Sequence, residues 1–214
     1  MCSYELAGII ADLLNLSFCS GRVPEQWLCA LVTPVPKVSQ PQQLADFRPI
    51  SVTPILSRIA EKIIVTRWLR PAISRQTIAD QFAFRLTGST TAALVYFMHH
   101  VTRLLENKSH VRCLFIDFSK AFDVVSHDIL LAKLKALELP AFVFNWIISF
   151  LTGRSQLCKV GGGMSSVCSI ARGIIQGSGI GPTLYIVIRA TCTLNPILIF
   201  YLSMLMILIW VFQN

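Results

Sequence analysis

The stretch Val111-Arg112-Cys113-Leu114-Phe115-Ile116-Asp117-Phe118-Ser119-Lys120-Ala121-Phe122-Asp123 decides how this chain is read. Its first eight residues are β-rich and almost continuously apolar, the pattern of a central strand covered on both faces. Asp117 interrupts that run near its end. A carboxylate there is costly to desolvate unless something compensates, and both a hydrogen-bonded turn and a bound cation can do so. Taken alone, Asp117 reads most simply as a cap for the turn that follows. Strand-end acids that hold two Mg²⁺ ions are, however, how nucleotidyl transferases stabilise attacking and leaving oxygens together.

Upstream, residues 5–18 carry Leu6, Ile9, Ile10, Leu13 and Leu14 at helical spacing, and Gly21-Arg22-Val23-Pro24 ends that helix. Residues 27–35 read as a short strand running into Pro36 and Lys37. A polar loop, 39–46, then precedes Phe47-Arg48-Pro49-Ile50-Ser51. A second helix is predicted over 54–69, with Pro54 in the first turn and Ile55, Ile59 and Ile63 on one side. Gly88-Ser89-Thr90 supplies the N-cap of a third, whose predicted buried stripe is Leu94, Phe97, Met98, Val101 and Leu105. Downstream come helices at about 128–137 and at 141–151. A hairpin follows, made of 156–160, the Gly161-Gly162-Gly163 turn and 166–170. The order is mixed α+β, with no internal repeat or low-complexity linker.

A chain of 214 residues, 54% hydrophobic, is enough for one domain with a sizeable core or for most of a larger one. Charged residues make up only 14%, low for a soluble protein, yet the formal net charge is +8. A basic balance suits a polyanionic partner such as nucleic acid, because neutralising phosphates releases counterions. The seven cysteines are scattered and form no C-x-x-C pair, so they point to reduced thiols in an intracellular protein rather than to a disulfide framework or zinc site. The four histidines show no ligand spacing with them. The N-terminal residues lack the basic start and unbroken apolar run of a signal peptide.

The run Phe115-Ile116-Asp117-Phe118-Ser119-Lys120-Ala121-Phe122-Asp123 resembles the first catalytic motif of reverse transcriptases, in the form typical of non-LTR, jockey-like retrotransposons. The resemblance implies that Asp117 binds both metal ions. It also implies that Phe122 lies under the sugar and excludes a 2′-hydroxyl, as a flat apolar wall would. Asp123 and His127 sit in the family pattern too, and a structural role is expected of both, capping or fixing the next helix. The family usually has an acid before that histidine, where this chain has Ser126.

A second stretch, Arg172-Gly173-Ile174-Ile175-Gln176-Gly177-Ser178-Gly179-Ile180-Gly181-Pro182, is similar to the family's G-[VI]-x-Q-G-S-x-x-G-P signature. It implies that Gln176 and Gly177 contact the template strand and the incoming nucleotide, with glycines letting backbone approach the template–primer. Pro34-Val35-Pro36-Lys37 and Phe47-Arg48-Pro49-Ile50-Ser51 resemble the paired basic positions that grip the triphosphate, which assigns Lys37 and Arg48 to that task. Gln81-Phe82-Ala83-Phe84-Arg85 with Gly88-Ser89-Thr90-Thr91-Ala92 is similar to the family's Q-F-G-F-R…S-T segment, Ala83 standing where glycine is common. The resemblance runs from about residue 21 to 185. Ser119-Lys120-Ala121-Phe122-Asp123 argues against a maturase or telomerase variant.

The family's third motif, a Tyr-Ala-Asp-Asp hairpin that supplies the remaining metal-binding carboxylates, is missing: no acidic residue follows Glu138. Asp117 is left without a partner, and two-metal geometry cannot form. In its place residues 194–212, LNPILIFYLSMLMILIWVF, are apolar for long enough to span a bilayer. Regrouping the codons permitted for 201–210 by one base gives Phe-Lys-Tyr-Ala-Asp-Asp-Thr-Asn-Leu, and 189–194 likewise allow Ser-Asp-Leu-His-Pro. A frameshift near 186–189 is therefore expected, the apolar tail being its by-product. A membrane helix is the competing expectation.

The expected fold is α+β, an incomplete right-hand polymerase. Residues 1–188 form partial fingers and palm, without a thumb or the completing palm hairpin, and 189–214 form the apolar tail. The resemblance implies an RNA-directed DNA polymerase that takes an RNA template, a DNA primer, deoxynucleoside triphosphates and Mg²⁺, in a fragment inactive on its own. The rivals are a non-catalytic nucleic-acid-binding remnant and a protein with a C-terminal membrane helix. Nucleus or cytoplasm is the expected location, with a membrane partner only if 194–212 is a genuine span.

Overall fold

The computed structural model describes residues 3–74, 82–83, 88–117, 120–189, 198–202 and 205–210. In chain order the elements are α1 (Ser3–Ser20), a 3₁₀ turn (Glu25–Trp27), β1 (Cys29–Pro36), a second 3₁₀ turn (Leu44–Asp46) and β2 (Phe47–Val52). Next come α2 (Ile55–Ile64), a π-helical turn (Val65–Leu69), α3 (Arg70–Ser74), α4 (Thr90–Leu105) and β3 (Arg112–Asp117). Then follow α5 (His127–Lys135), α6 (Ala141–Leu151), β4 (Arg154–Val160), β5 (Gly163–Met164), β6 (Cys168–Ile170), α7 (Gly181–Arg189), β7 (Leu198–Leu202) and β8 (Leu205–Trp210). The chain divides into two compact units, Met1–Arg75 with Phe122–Val187, and Gln76–Ala121 with Ile188–Asn214.

In the first unit the strands run in the order β2-β1-β4-β5, with β6 also paired to β4. β1 is antiparallel to β2 and parallel to β4, where Cys29 stands opposite Ser155 and Val32 opposite Cys158. The predicted hairpin forms, but its return strand is split into β5 and β6. Between them Ser165 bonds back to Cys158, its N–H donating to the Cys158 carbonyl and its hydroxyl accepting from the Cys158 N–H. Trp146, Phe150, Leu130, Leu134, Ile64 and Leu184 are fully buried in the core. Phe18 of α1 meets Trp146 of α6 edge-on at 6.1 Å, and the Trp146 indole N–H donates to the Ser17 hydroxyl. α1 stops where Gly21, at φ +62°, turns the chain so that its N–H reaches the Phe18 carbonyl and the Arg22 N–H the Ser17 carbonyl.

Two predicted helix faces are corrected. On α2 the buried residues are Ser57, Ala60, Glu61 and Ile64, whereas Ile55 is 68% exposed and Ile59 is exposed as well. The face was misjudged because a buried acid was not expected to mark it. On α4 the inward positions are Ala93, Phe97, Val101 and Leu104, while Leu94, Met98 and Leu105 are exposed. That helix is apolar on several sides, so spacing alone could not fix its rotation. Its predicted N-cap holds: the Ser89 hydroxyl accepts from the Ala92 N–H.

In the second unit β3, β8 and β7 form an antiparallel sheet in that order. β3 is therefore the end strand among the described strands, not the central one expected. Phe97 of α4 packs edge-on against Phe115 of β3, ring centres 5.9 Å apart. Where the sequence offered a membrane helix or an out-of-frame segment, the described part of the tail is the β7–β8 hairpin, with β8 zipped along β3 so that Asp117 stands opposite Leu205. A hairpin thus occupies this position although the tail carries no acid. Among the described residues no helix is long and apolar enough to cross a membrane.

Candidate nucleic-acid interface

Five of the six residues singled out in the sequence lie in the first unit, around two segments that bond along one another. The Ile174 N–H donates to the Phe122 carbonyl at 2.7 Å, and the Gly173 N–H donates to the Val125 carbonyl at 2.8 Å. The His127 ring lies with Nε2 2.8 Å from the Gly173 carbonyl, so that nitrogen carries the proton. From there the loop turns toward β2, where the Ser51 N–H donates to the Gln176 carbonyl at 2.8 Å. The Gln176 side-chain amide donates to Asp123 Oδ1 at 2.8 Å. Asp123 thus holds the Gln176 side chain, and His127, the first residue of α5, ties the start of that helix to Gly173.

Two glycines make these approaches possible. Gly177 has φ +108°, and a Cβ there would lie 2.5 Å from the Ser51 carbonyl oxygen. Gly173 has φ +91°, and its Cβ would lie 2.8 Å from the Asp123 carbonyl oxygen. The neighbour that requires glycine at each site is the protein's own backbone.

Between this loop and the β1–β2 ribbon opens a cleft of about 290 Å³. Asp123, Gln156, Arg172 and Gln176 give it an acid, a cation and two amides, while Val32 and Ile170 add apolar wall. Donors, acceptors and one positive charge beside apolar surface suit a ligand with a flat heterocycle and a phosphate. Arg172 and Gln156 carry no assignment from the sequence. The only signal for Arg172 was its position beside the glycine-rich stretch, and Gln156 is recognisable only once β4 is placed beside β1.

The other assigned residues take these positions. Phe122 is half-buried and stacks on Tyr185 of α7, with ring centres 4.9 Å apart and planes 23° from parallel. Lys37 and Arg48 share the β1–β2 ribbon, Arg48 opposite Val35, and both are exposed. Neither lines the cleft, although Pro49 and Ser51 of the same strand do. The Lys37 ammonium donates to the Ala45 carbonyl at 2.8 Å. The Gln42 and Gln43 N–H groups donate to Asp46 and hold its carboxyl below the ordinary range, with Lys37 adding to the effect. Asp117 ends β3 in the second unit, and its carboxylate lies outside the described residues, as do Phe118, Ser119, Gln81, Phe84 and Arg85.

Beneath the loop lies a buried charge that sequence reasoning missed. Glu61 of α2 is fully buried; its carboxylate accepts from the Ser57 hydroxyl at 2.9 Å and the Ile180 N–H at 3.2 Å. Burial pushes its carboxyl above the ordinary value, and those hydrogen bonds with the charge of Arg154 oppose the shift. Arg154 is itself buried and is pulled down to about 10 by desolvation, against the attraction of Glu61. Its guanidinium donates to the Phe150 and Trp27 carbonyls and lies 4.5 Å from the Phe150 ring centre.

Comparison with known proteins bears on the family and the fold. The model of the family described as "Reverse transcriptase (RNA-dependent DNA polymerase)" matches residues 35–193. The chain is 34% identical over 178 residues to "RNA-directed DNA polymerase from mobile element jockey" of Drosophila melanogaster, covering 82% of this chain and 19% of that protein. It is 32% identical over 187 residues to "Probable RNA-directed DNA polymerase from transposon BS" of the same species, covering 86% and 20%. The chain thus spans about a fifth of the length of these curated relatives. Among solved structures, telomerase of Candida albicans, determined with a fragment of telomeric RNA, superposes with a TM-score of 0.65 at 13% identity, over 92% of this chain and 42% of that one. That likeness shows a shared right-hand polymerase fold.

Proposed function

This chain belongs to the reverse transcriptase family, and from that premise we propose that it is a fingers-and-palm portion of a non-LTR retrotransposon polymerase that binds a primed RNA template but does not extend it. The observation that carries the binding role is the pairing of the Phe122–His127 and Arg172–Gln176 segments beside a cleft with donors, acceptors and a cation. In this proposal Gln176 and Gly177 face the template and incoming nucleotide, Phe122 lies under its sugar, and Lys37 and Arg48 approach its phosphates from the ribbon. The net charge of +8 supports a polyanionic partner.

Nucleotidyl transfer of this kind uses two divalent ions to stabilise attacking and leaving oxygens. Asp117 is the one residue assigned to hold them, and its register partner is Leu205 in a strand reading Leu-Met-Ile-Leu-Ile-Trp. That strand offers no hard oxygen side chain, and among the described residues no group of three His, Cys, Asp or Glu could hold a metal. The donor set does not fit a two-metal centre, so no catalytic step is assigned to this chain. The register also supports a frameshift. Read one base over, the two Asp codons straddle 205/206 and 206/207, and Leu205 and Met206 stand opposite Asp117 and Ile116.

The test is fluorescence-anisotropy binding of a DNA-primed RNA, with primer extension run in parallel. Binding that weakens as salt rises and no incorporation are expected. No binding even at low salt refutes the proposed role, and incorporation by the unaltered chain refutes the inactivity. Sequencing the transcript across 185–214 tests the frameshift, which fails if the other frame lacks codons for Tyr-Ala-Asp-Asp.

A further inference from the structure

The 176–180 loop is gripped at two points by one continuous piece of chain. The last residues of β2 hold its start, through the Ser51 N–H on the Gln176 carbonyl. Ten residues further on, the first turns of α2 hold its end, through the Glu61 carboxylate on the Ile180 N–H group. The Ser57 hydroxyl donates to the other carboxylate oxygen and fixes its rotation, and no part of Glu61 reaches solvent. Gly179 has Glu61 as its nearest neighbour, 3.6 Å from where a Cβ would be. The loop closes on the far side by its own means, the Gly181 N–H donating to the Ser178 hydroxyl at the start of α7.

A charged side chain is a costly way to fill a core position. Ala60 and Ile64 on the same face show that apolar residues fit there. What Glu61 supplies and an apolar residue cannot is an acceptor for the Ile180 N–H, three residues after Gly177. Charge-assisted bonds to backbone N–H are among the stronger ones, and a donor left buried without an acceptor is correspondingly costly.

We propose that Glu61 is a positioning residue for the Gln176–Gly177 turn: its buried carboxylate, acting with the Ser51 N–H, fixes that turn at the cleft and so sets the affinity for a primed template. The second half of this statement rests on the function proposed above; the first half does not. Glu61 touches no ligand and acts only through the loop.

The experiment compares the full chain with Glu61→Leu, Glu61→Gln and Ser57→Ala. Two readouts are taken on each: affinity for a DNA-primed RNA, and amide hydrogen exchange over 176–181 with α6 as internal reference. Glu61→Leu, examined below its melting temperature, is expected to bind about tenfold or more weakly, since the Ile180 N–H and the Ser57 hydroxyl lose their acceptor. Glu61→Gln keeps one oxygen acceptor and is expected to recover most of that loss. In Glu61→Gln and Ser57→Ala, exchange over 176–181 should rise while α6 stays unchanged. A Glu61→Leu chain that folds and binds like the parent overturns the proposal. So does loss in all three variants that merely tracks melting temperature. If Glu61→Leu does not fold, the two milder variants decide, and unchanged exchange over 176–181 in both overturns it. If the parent chain itself binds no primed RNA, the proposed function fails, and the exchange measurement still tests whether Glu61 holds the turn.

Discussion

Replacing Gly177 with alanine puts a methyl group where the Ser51 carbonyl oxygen already stands. The added carbon would lie 2.5 Å from that oxygen, on a residue whose φ of +108° favours glycine. The strained backbone costs about 1–3 kcal/mol by itself. The overlap cannot be relieved by a rotamer change, because the obstacle is backbone. That backbone is also tied, since the Ser51 N–H is bonded to the Gln176 carbonyl on the adjacent residue. Forcing extra volume into such a contact typically costs about another 1–3 kcal/mol. Relaxation lowers the sum, and a loss near 3 kcal/mol is a fair central value, roughly 6–12 °C in melting temperature for a chain of this size. The control is Gly162→Ala in the β4–β5 turn, where nothing lies within 4 Å of the new methyl. That change should stay within about 0.5 kcal/mol of the parent. Thermal unfolding followed by circular dichroism, with urea unfolding as a second measure, ranks the two variants. If Gly177→Ala melts no lower than Gly162→Ala, the close approach of loop and β2 described above is wrong.

Three further outcomes are expected. Burial raises the Glu61 carboxyl above its ordinary 4.5, so the native state holds the proton more tightly than the unfolded chain. Its contribution is therefore complete below about pH 4.5 and is lost as pH rises through the raised value. The gap in melting temperature between the parent and Glu61→Gln should change across that window, to the parent's disadvantage as pH rises, and a constant gap would count against the burial of this acid. Arg154→Ala strips the buried Phe150 and Trp27 carbonyls of their donor, which should cost about 2–4 kcal/mol in urea unfolding. A loss under about 1 kcal/mol would mean the guanidinium is not so engaged. In a chain with Tyr-Ala-Asp-Asp restored by reframing, Phe122→Val should relax selection against ribonucleotides by about tenfold or more, the 1.4 kcal/mol scale of one steric contact. Unchanged selectivity in single-nucleotide incorporation would remove Phe122 from the sugar site.

Much of the fold was legible because the signals were local. α6 falls at the predicted residues, Ser89 caps α4 as its chemistry suggests, and the glycine turn after β4 is where three consecutive glycines place it. The failures concern which way an element faces. α2 offered an isoleucine stripe and a mixed stripe of Ser57, Ala60, Glu61 and Ile64, and hydropathy favours the first. The second wins because Glu61 accepts from the Ile180 N–H, 119 residues away along the chain, a pairing no window of sequence contains. The same holds at the cleft. Gln176 was legible from its motif, whereas Gln156 depends on β4 lying parallel to β1, which no local pattern announces.

The β3–β8–β7 sheet separates what holds this fold together from what its chemistry requires. Strand pairing needs backbone donors and acceptors and side chains that tolerate a pleated surface, and Leu205–Trp210 supply both. Metal binding needs oxygen ligands at particular register positions, and opposite Asp117 this chain has Leu205. A shift of reading frame acts differently on the two requirements. Codons with a central T encode Phe, Leu, Ile, Met and Val, so an Asp codon GAT whose last two bases begin a new codon tends to become one of these apolar, strand-forming residues. The pairing potential survives while the carboxylates vanish. In the proposed function template binding relies on the first unit, whose cleft residues all precede residue 189. A chain of this kind should therefore lose nucleotide transfer abruptly and nucleic-acid affinity only slightly, and comparing the affinities of this chain and its reframed counterpart for the same primed RNA measures that separation directly. Affinities differing by more than about tenfold would show that the tail contributes to binding after all.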